Sequence, residues 1–170
     1  GNVWRIGVLS PGLSPSGPSA RFDAFRQGLR ELGYIEGQNI AIEWRFAEGK
    51  DDRLPDLAAE LVRLKVDVLL TINTPATRAA KNATSTIPIV FTAVADSAGA
   101  KVVASLARPG GNLTGLTSLV AETSGKRLAL LKEALPKVSR AAVLWNSSSE
   151  GAAFVFRALE AASRQLGVQL

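Results

Sequence analysis

The 170-residue chain contains no cysteine, no histidine and no methionine. No disulfide, thiolate nucleophile, Cys/His zinc site or Ser-His-Asp triad is therefore available to it. Aromatic residues are sparse at 6%. No apolar run approaches the ~18 residues that a membrane span needs. Charge of neither sign is concentrated: 20 Lys and Arg stand against 15 Asp and Glu, singly or in near pairs of opposite sign, for a net +5. With no basic stripe and no interleaved aromatics, nucleic-acid binding is disfavoured. The acids are too scattered to suggest a metal site, and no cofactor is expected. The chain opens directly on a strand-like run, so an export signal is not part of this sequence. What is present is 46% apolar residues, enough for one globular domain or slightly more.

Short β-rich runs alternate with longer helical ones. Residues 3–9 read as a first strand, ended by Ser10-Pro11-Gly12, and a Ser/Pro/Gly loop follows to about residue 18. Ser19 is placed to cap a helix over 20–32, where Phe22, Phe25, Leu29 and Leu32 recur at helical spacing and Gly33 is the expected stop. Alternation of Ile40, Ile42, Trp44 and Phe46 predicts a strand over 39–46. Asp51 or Asp52 is the expected cap of a helix to about 64, with Leu54, Leu57, Leu61 and Leu64 on one face. Strands are expected at 66–72, 87–91 and 113–116, helices at 75–83 and 98–106, and a turn at 108–112. This order, with nearly continuous apolar strands, predicts an α/β fold: a doubly wound parallel sheet buried on both faces, occupying residues 1–117. A helix over 123–135, a strand over 140–145, a helix over 151–166 and a strand start at 168–170 then read as an incomplete second α/β lobe, 118–170, too small to bury a core by itself.

In such sheets ligands bind outside the carboxyl ends of the strands, at the switch in strand order. The sharpest strand end is Thr71-Ile72-Asn73-Thr74-Pro75-Ala76-Thr77. Thr74 fits the N-cap, Pro75 the first helical position and Thr77 the third, so free N–H groups and one or two hydroxyls face the crevice and suit a carboxylate. The same residues also describe a well-capped helix that binds nothing. The loop over 10–18 lacks the G-x-G-x-x-G order, and Pro11, Pro15 and Pro18 remove three N–H groups, which disfavours a dinucleotide. Ser10 and Ser16 are donors for a cleft wall, or parts of a surface connection. Asp96 suits a ligand ammonium or a helix cap, and Asn146 and Ser147 offer donors from the second lobe. Trp4, Trp44 and Trp145 are expected in core packing, with the border of a cleft as the alternative for Trp145. No nucleophile–base pair is present, so no catalytic residue is nominated and an enzyme is not expected.

Four stretches together resemble a known family. They are Arg5-Ile6-Gly7-Val8-Leu9-Ser10; residues 25–34 with Glu36-Gly37-Gln38-Asn39; Ile87-Pro88-Ile89-Val90-Phe91 through to Arg108-Pro109-Gly110-Gly111-Asn112-Leu113-Thr114-Gly115; and Ser124-Gly125-Lys126-Arg127-Leu128 with Val143-Leu144-Trp145-Asn146. The combination resembles the ABC-transporter substrate-binding proteins that include tryptophan- and tyrosine-uptake components. The resemblance implies two Rossmann-like lobes of the type I periplasmic-binding-protein kind, with a ligand closed between them. It implies a small carboxylate-bearing ligand such as an amino acid, an ABC permease as partner, and a periplasmic or extracellular, membrane-associated location. Its cleft-facing positions map here to Leu9, Ser10, Ser16, Asn73, Thr74 and Thr77 on the first strands. Thr92, Ala93, Asp96, Thr117, Asn146 and Ser147 follow on later ones. Thr74 and Thr77 would hold a carboxylate, Asp96 or a second-lobe residue an ammonium, and closure would hinge near 117–121. A ligand-sensing domain of the same fold and a small α/β hydrolase are the competing expectations.

Overall fold

The computed structural model describes residues 3–12, 14, 19–95, 102–105, 108, 110–146 and 150–170. Five strands form one parallel sheet: β1 (Trp4–Ser10), β2 (Ile40–Phe46), β3 (Val68–Ile72), β4 (Ile89–Ala95) and β5 (Leu113–Ser118). Their spatial order is β2-β1-β3-β4-β5, so the strand order reverses between β1 and β3. Helices α1 (Ala20–Glu31), α2 (Leu54–Arg63) and α3 (Asn73–Ala83) form the crossovers, and α4 (Val120–Ala134) and α5 (Glu150–Leu166) follow the sheet. The doubly wound parallel sheet read from the sequence is therefore present.

The main core lies on the face covered by α2 and α3. Leu9, Leu69, Ile89, Phe91 and Val94 from the strands meet Leu54, Leu57 and Leu61 of α2 and Ala76 and Ala80 of α3. The approach is close at Gly7: a Cβ there would stand 2.9 Å from Leu69 Cδ2 and 3.2 Å from Leu61 Cδ2. On the opposite face α1 lays Phe25 and Leu29 over Ile6, Val8 and Ile40. Phe22 sits edge-on to Trp44, their ring centres 4.9 Å apart. Gly33, at φ +84°, ends α1 as expected, its N–H donating to the Arg30 carbonyl.

Several expectations are corrected. Burial on both faces holds only for the β2–β1–β3 half. On the α1 side Val90 is 38% and Leu116 75% exposed, because α1 reaches no further than β3 and no described element covers the rest. The third strand starts two residues late, since the Asp67 carboxylate, not a ladder carbonyl, accepts the Arg5 N–H at 2.7 Å. Asp51 and Asp52 cap nothing: they lie in a 3-10 turn, Asp51–Arg53, ahead of α2. Ser19 precedes α1 without a side-chain cap bond. Of the helix expected at 98–106, the described residues 102–105 are non-helical. Among the described residues, the strand expected at 140–145 is reduced to one parallel bridge, Arg140 to Gln169. Trp4 is half-exposed rather than core.

Candidate functional site

The carboxyl ends of the strands open into a cavity of about 730 Å³. Its walls come from segments that follow different strands: Gly12 after β1, Lys50 to Asp52 after β2, Asn73 and Thr74 after β3, Ala93 and Ala95 at the end of β4, and Ser118 at the end of β5. Asn146, Gly151 and Val155 close it from the α5 side. This is the position that the reversal between β1 and β3 dictates, because the loops there diverge to opposite faces and leave a crevice.

At its floor β3 turns straight into α3. Asn73 takes φ +69°, a left-handed conformation that Asn tolerates better than most side chains. The turn is locked from behind. Thr77, fully buried, bonds its hydroxyl to the Asn73 carbonyl at 2.8 Å and to the Thr71 hydroxyl at 2.8 Å. Thr74 differs. It is 2% exposed, lines the cavity, and among the described residues its hydroxyl has no hydrogen-bond partner. A buried hydroxyl left unpaired costs about 1–3 kcal/mol. The first amides of α3 add the positive end of the helix dipole to the same spot.

A bulge shapes the neighbouring wall. Phe91 pairs with Gly115 and Val94 with Thr117, so Thr92 and Ala93 together oppose Leu116 alone, and Ala93 takes φ +56°. The bulge keeps Phe91 and Val94, three residues apart, both in the main core, and Ala93 and Ala95 line the cavity. Facing the α3 start is an acidic turn. Asp51 and Asp52 are exposed and line the cavity, and their carboxylates make no hydrogen bond or ion pair with any described residue.

Of the positions proposed from sequence, Asn73, Thr74, Ala93 and Asn146 meet at this cavity. Thr77 does not reach it, because its hydroxyl is consumed inside the Thr71–Asn73 lock. Leu9 is fully buried in the main core instead. Thr117 donates its hydroxyl to the Val94 carbonyl at 2.8 Å and leaves the wall to Ser118. Ser10 accepts the Gly12 N–H and, with Thr92, lines a separate hollow of about 650 Å³ on the α1 side. Ser16, Asp96 and Ser147 lie outside the described residues. The sequence reading missed Lys50, Asp51, Asp52 and Gly151. The acids lie after β2, so the strand-end rule included them, but their helix-start pattern made capping the simpler reading. Trp145 stacks on Phe156 of α5, ring centres 4.8 Å apart.

Residues 6–170 match the family model described as ABC transporter substrate binding protein. The chain belongs to that family. Members are substrate-binding proteins rather than enzymes. A tyrosine-binding protein of Clostridioides difficile is 37% identical over 144 residues, which cover 85% of this chain and 41% of that protein. A conserved domain protein of Vibrio cholerae superimposes with a TM-score of 0.87 at 35% identity, over 99% of this chain and 56% of that one. The domain from Streptococcus pneumoniae solved in complex with L-Trp gives 0.79 at 27% identity, over 96% and 54%. A leucine-binding protein of Thermotoga maritima, at 13% identity and a TM-score of 0.73, shares the fold. The chain thus spans about half the length of these relatives. Among the described residues no helix is long and apolar enough to cross a membrane. Nor does any group of three His, Cys, Asp or Glu come together as metal ligands among them.

Proposed function

We propose that this chain supplies most of the ligand-binding cleft of an ABC importer's solute-binding protein, and that the cleft takes a small zwitterion carrying a carboxylate, of the aromatic amino-acid class. The observation that carries this reading is the unpartnered, buried hydroxyl of Thr74 at the start of α3. A carboxylate seated there accepts from Thr74 and from the first amides of α3. The unpaired Asp51 and Asp52 are suited to the ammonium, the role first offered to Asp96. The relatives that bind tyrosine and tryptophan support the aromatic class. The cavity volume lies within the range common for small-molecule sites.

In this reading residues 1–117 are one lobe and 118–170 the crossover and part of a second. Closure about 117–121 presents the loaded form to a permease, and the work is done outside the cytoplasm without bond chemistry. Binding selects the closed population, so affinity and closure are linked. Calorimetry of the full-length protein with L-tyrosine and L-tryptophan tests the reading. Wild type binds at least one of them, tyramine binds far more weakly for want of the carboxylate, and Thr74→Ala loses about tenfold in affinity. Equal binding of tyramine and L-tyrosine would remove the carboxylate from the site.

A further inference from the structure

The sheet is covered unevenly, and its winding explains why. A right-handed crossover puts its helix on one face when the chain steps one way along the sheet, and on the other face when it steps back. Only the step from β1 to β2 runs toward the β2 edge, and it lays α1 over Ile6, Val8 and Ile40. The steps from β2 to β3, β3 to β4 and β4 to β5 all run the other way. They put α2 and α3 on the main-core face, and Val102 and Val103 of the last connection join the same core. Of the later helices, α4 packs on α5, and α5 sends Phe154 to the main-core side. The crossovers of this sheet therefore leave β4 and β5 without a helix on the α1 face. There Val90 and Leu116 stand exposed. With Leu70, Ile72 and the α1 residues Phe22 and Phe25 they line the largely apolar hollow of about 650 Å³.

We infer that this open half-face seats an amphipathic helix from the part of the full-length protein that follows Leu170, which returns to the first lobe and lays its apolar side on Val90 and Leu116. The inference rests on the reading above, in which 118–170 begin a second lobe that the rest of the protein continues. Three observations favour this occupant over a second copy or a separate partner. A parallel sheet is built to be covered by helices on both faces, so the cover is a need of the fold itself. The hollow continues the core beneath α1, since Phe25, Leu70 and Ile72 belong to both. The length is also available: the Vibrio cholerae relative matches 99% of this chain with only 56% of its own. The chain then passes between the lobes at least twice, and closure bends both connections.

The test uses the full-length protein. These 170 residues hold no cysteine, so Leu116→Cys and Leu32→Cys each add a new thiol, at two side chains of equal 75% exposure. A maleimide is expected to label Leu116→Cys about 100-fold more slowly in the native protein than in urea, and Leu32→Cys less than about fivefold more slowly. A photo-crosslinking p-benzoylphenylalanine at 116 identifies the cover by peptide mapping. Thr114, exposed and on the same face, is the second crosslinking position should Leu116 not tolerate the larger group. The expected product is a crosslink within one molecule to a peptide beyond residue 170. Labelling of Leu116→Cys as fast as Leu32→Cys, a crosslink to a second molecule, or one to residues 96–107 would each overturn the inference. The ligand reading fails separately. Protection at 116 in a protein that binds neither L-tyrosine nor L-tryptophan supports the cover and removes the ligand, whereas binding with a freely labelled Leu116→Cys does the reverse.

Discussion

The two parts of the chain carry the same kind of sequence and reach different ends. Residues 66–72 and 140–145 are both short apolar runs between helices. The first contains β3, with β1 on one side and β4 on the other. There Leu69 and Thr71 are fully buried. The second makes one bridge, Arg140 to Gln169, and leaves Leu144 with 103% relative exposure. Helices do not share this fate. α4 and α5 form fully, because their backbone hydrogen bonds close within the segment. A strand needs partners that lie elsewhere in the sequence, and a helix does not.

Paired substitutions sharpen that contrast. Leu69→Ala should cost about 3 kcal/mol in urea unfolding, as a fully buried leucine at the centre of the sheet, whereas Leu144→Ala should stay within ~0.5 kcal/mol. Equal costs would mean that the 140–145 segment is packed as tightly as β3. Gly7→Ala should cost about 1–3 kcal/mol, since its methyl would press on Leu69 and Leu61 in the main core. At the site the sign reverses. Thr74→Val removes a buried unpaired hydroxyl, so the ligand-free protein should gain about 1 kcal/mol while ligand affinity falls. A loss of stability would show that the hydroxyl serves the fold rather than a ligand. The smallest effect belongs to the ion pair between Arg45 Nε and Glu60, 2.8 Å long and half-exposed. Arg45→Ala should cost about 0.5–1 kcal/mol, diminishing with added salt.

Much of the fold was legible because its signals are local. The spacing of Leu54, Leu57 and Leu61 marked the buried face of α2, and the alternation from Ile40 to Phe46 marked β2. The abrupt change at Asn73 located the floor of the cavity. Thr74 and Thr77 looked alike at that level, three residues apart on one helix start. Only the fold separates them: Thr71 of the preceding strand takes up the Thr77 hydroxyl, and no described residue takes up that of Thr74. Asp51 and Asp52 had the composition of helix caps, yet the chain turns before α2 and leaves their carboxylates at the cavity. Ser10 and Thr92 sat at strand ends as expected, but on the face toward α1 rather than toward the cavity.

The amino-acid order alone determined the helices α1 to α5 and the periods of the five strands, since those follow from hydrogen bonds and side-chain spacing over a few neighbours. The tertiary structure decided which polar groups remained without a partner and how far α1 covers the sheet. Such facts depend on what approaches across the fold, and separation along the chain carries no record of it.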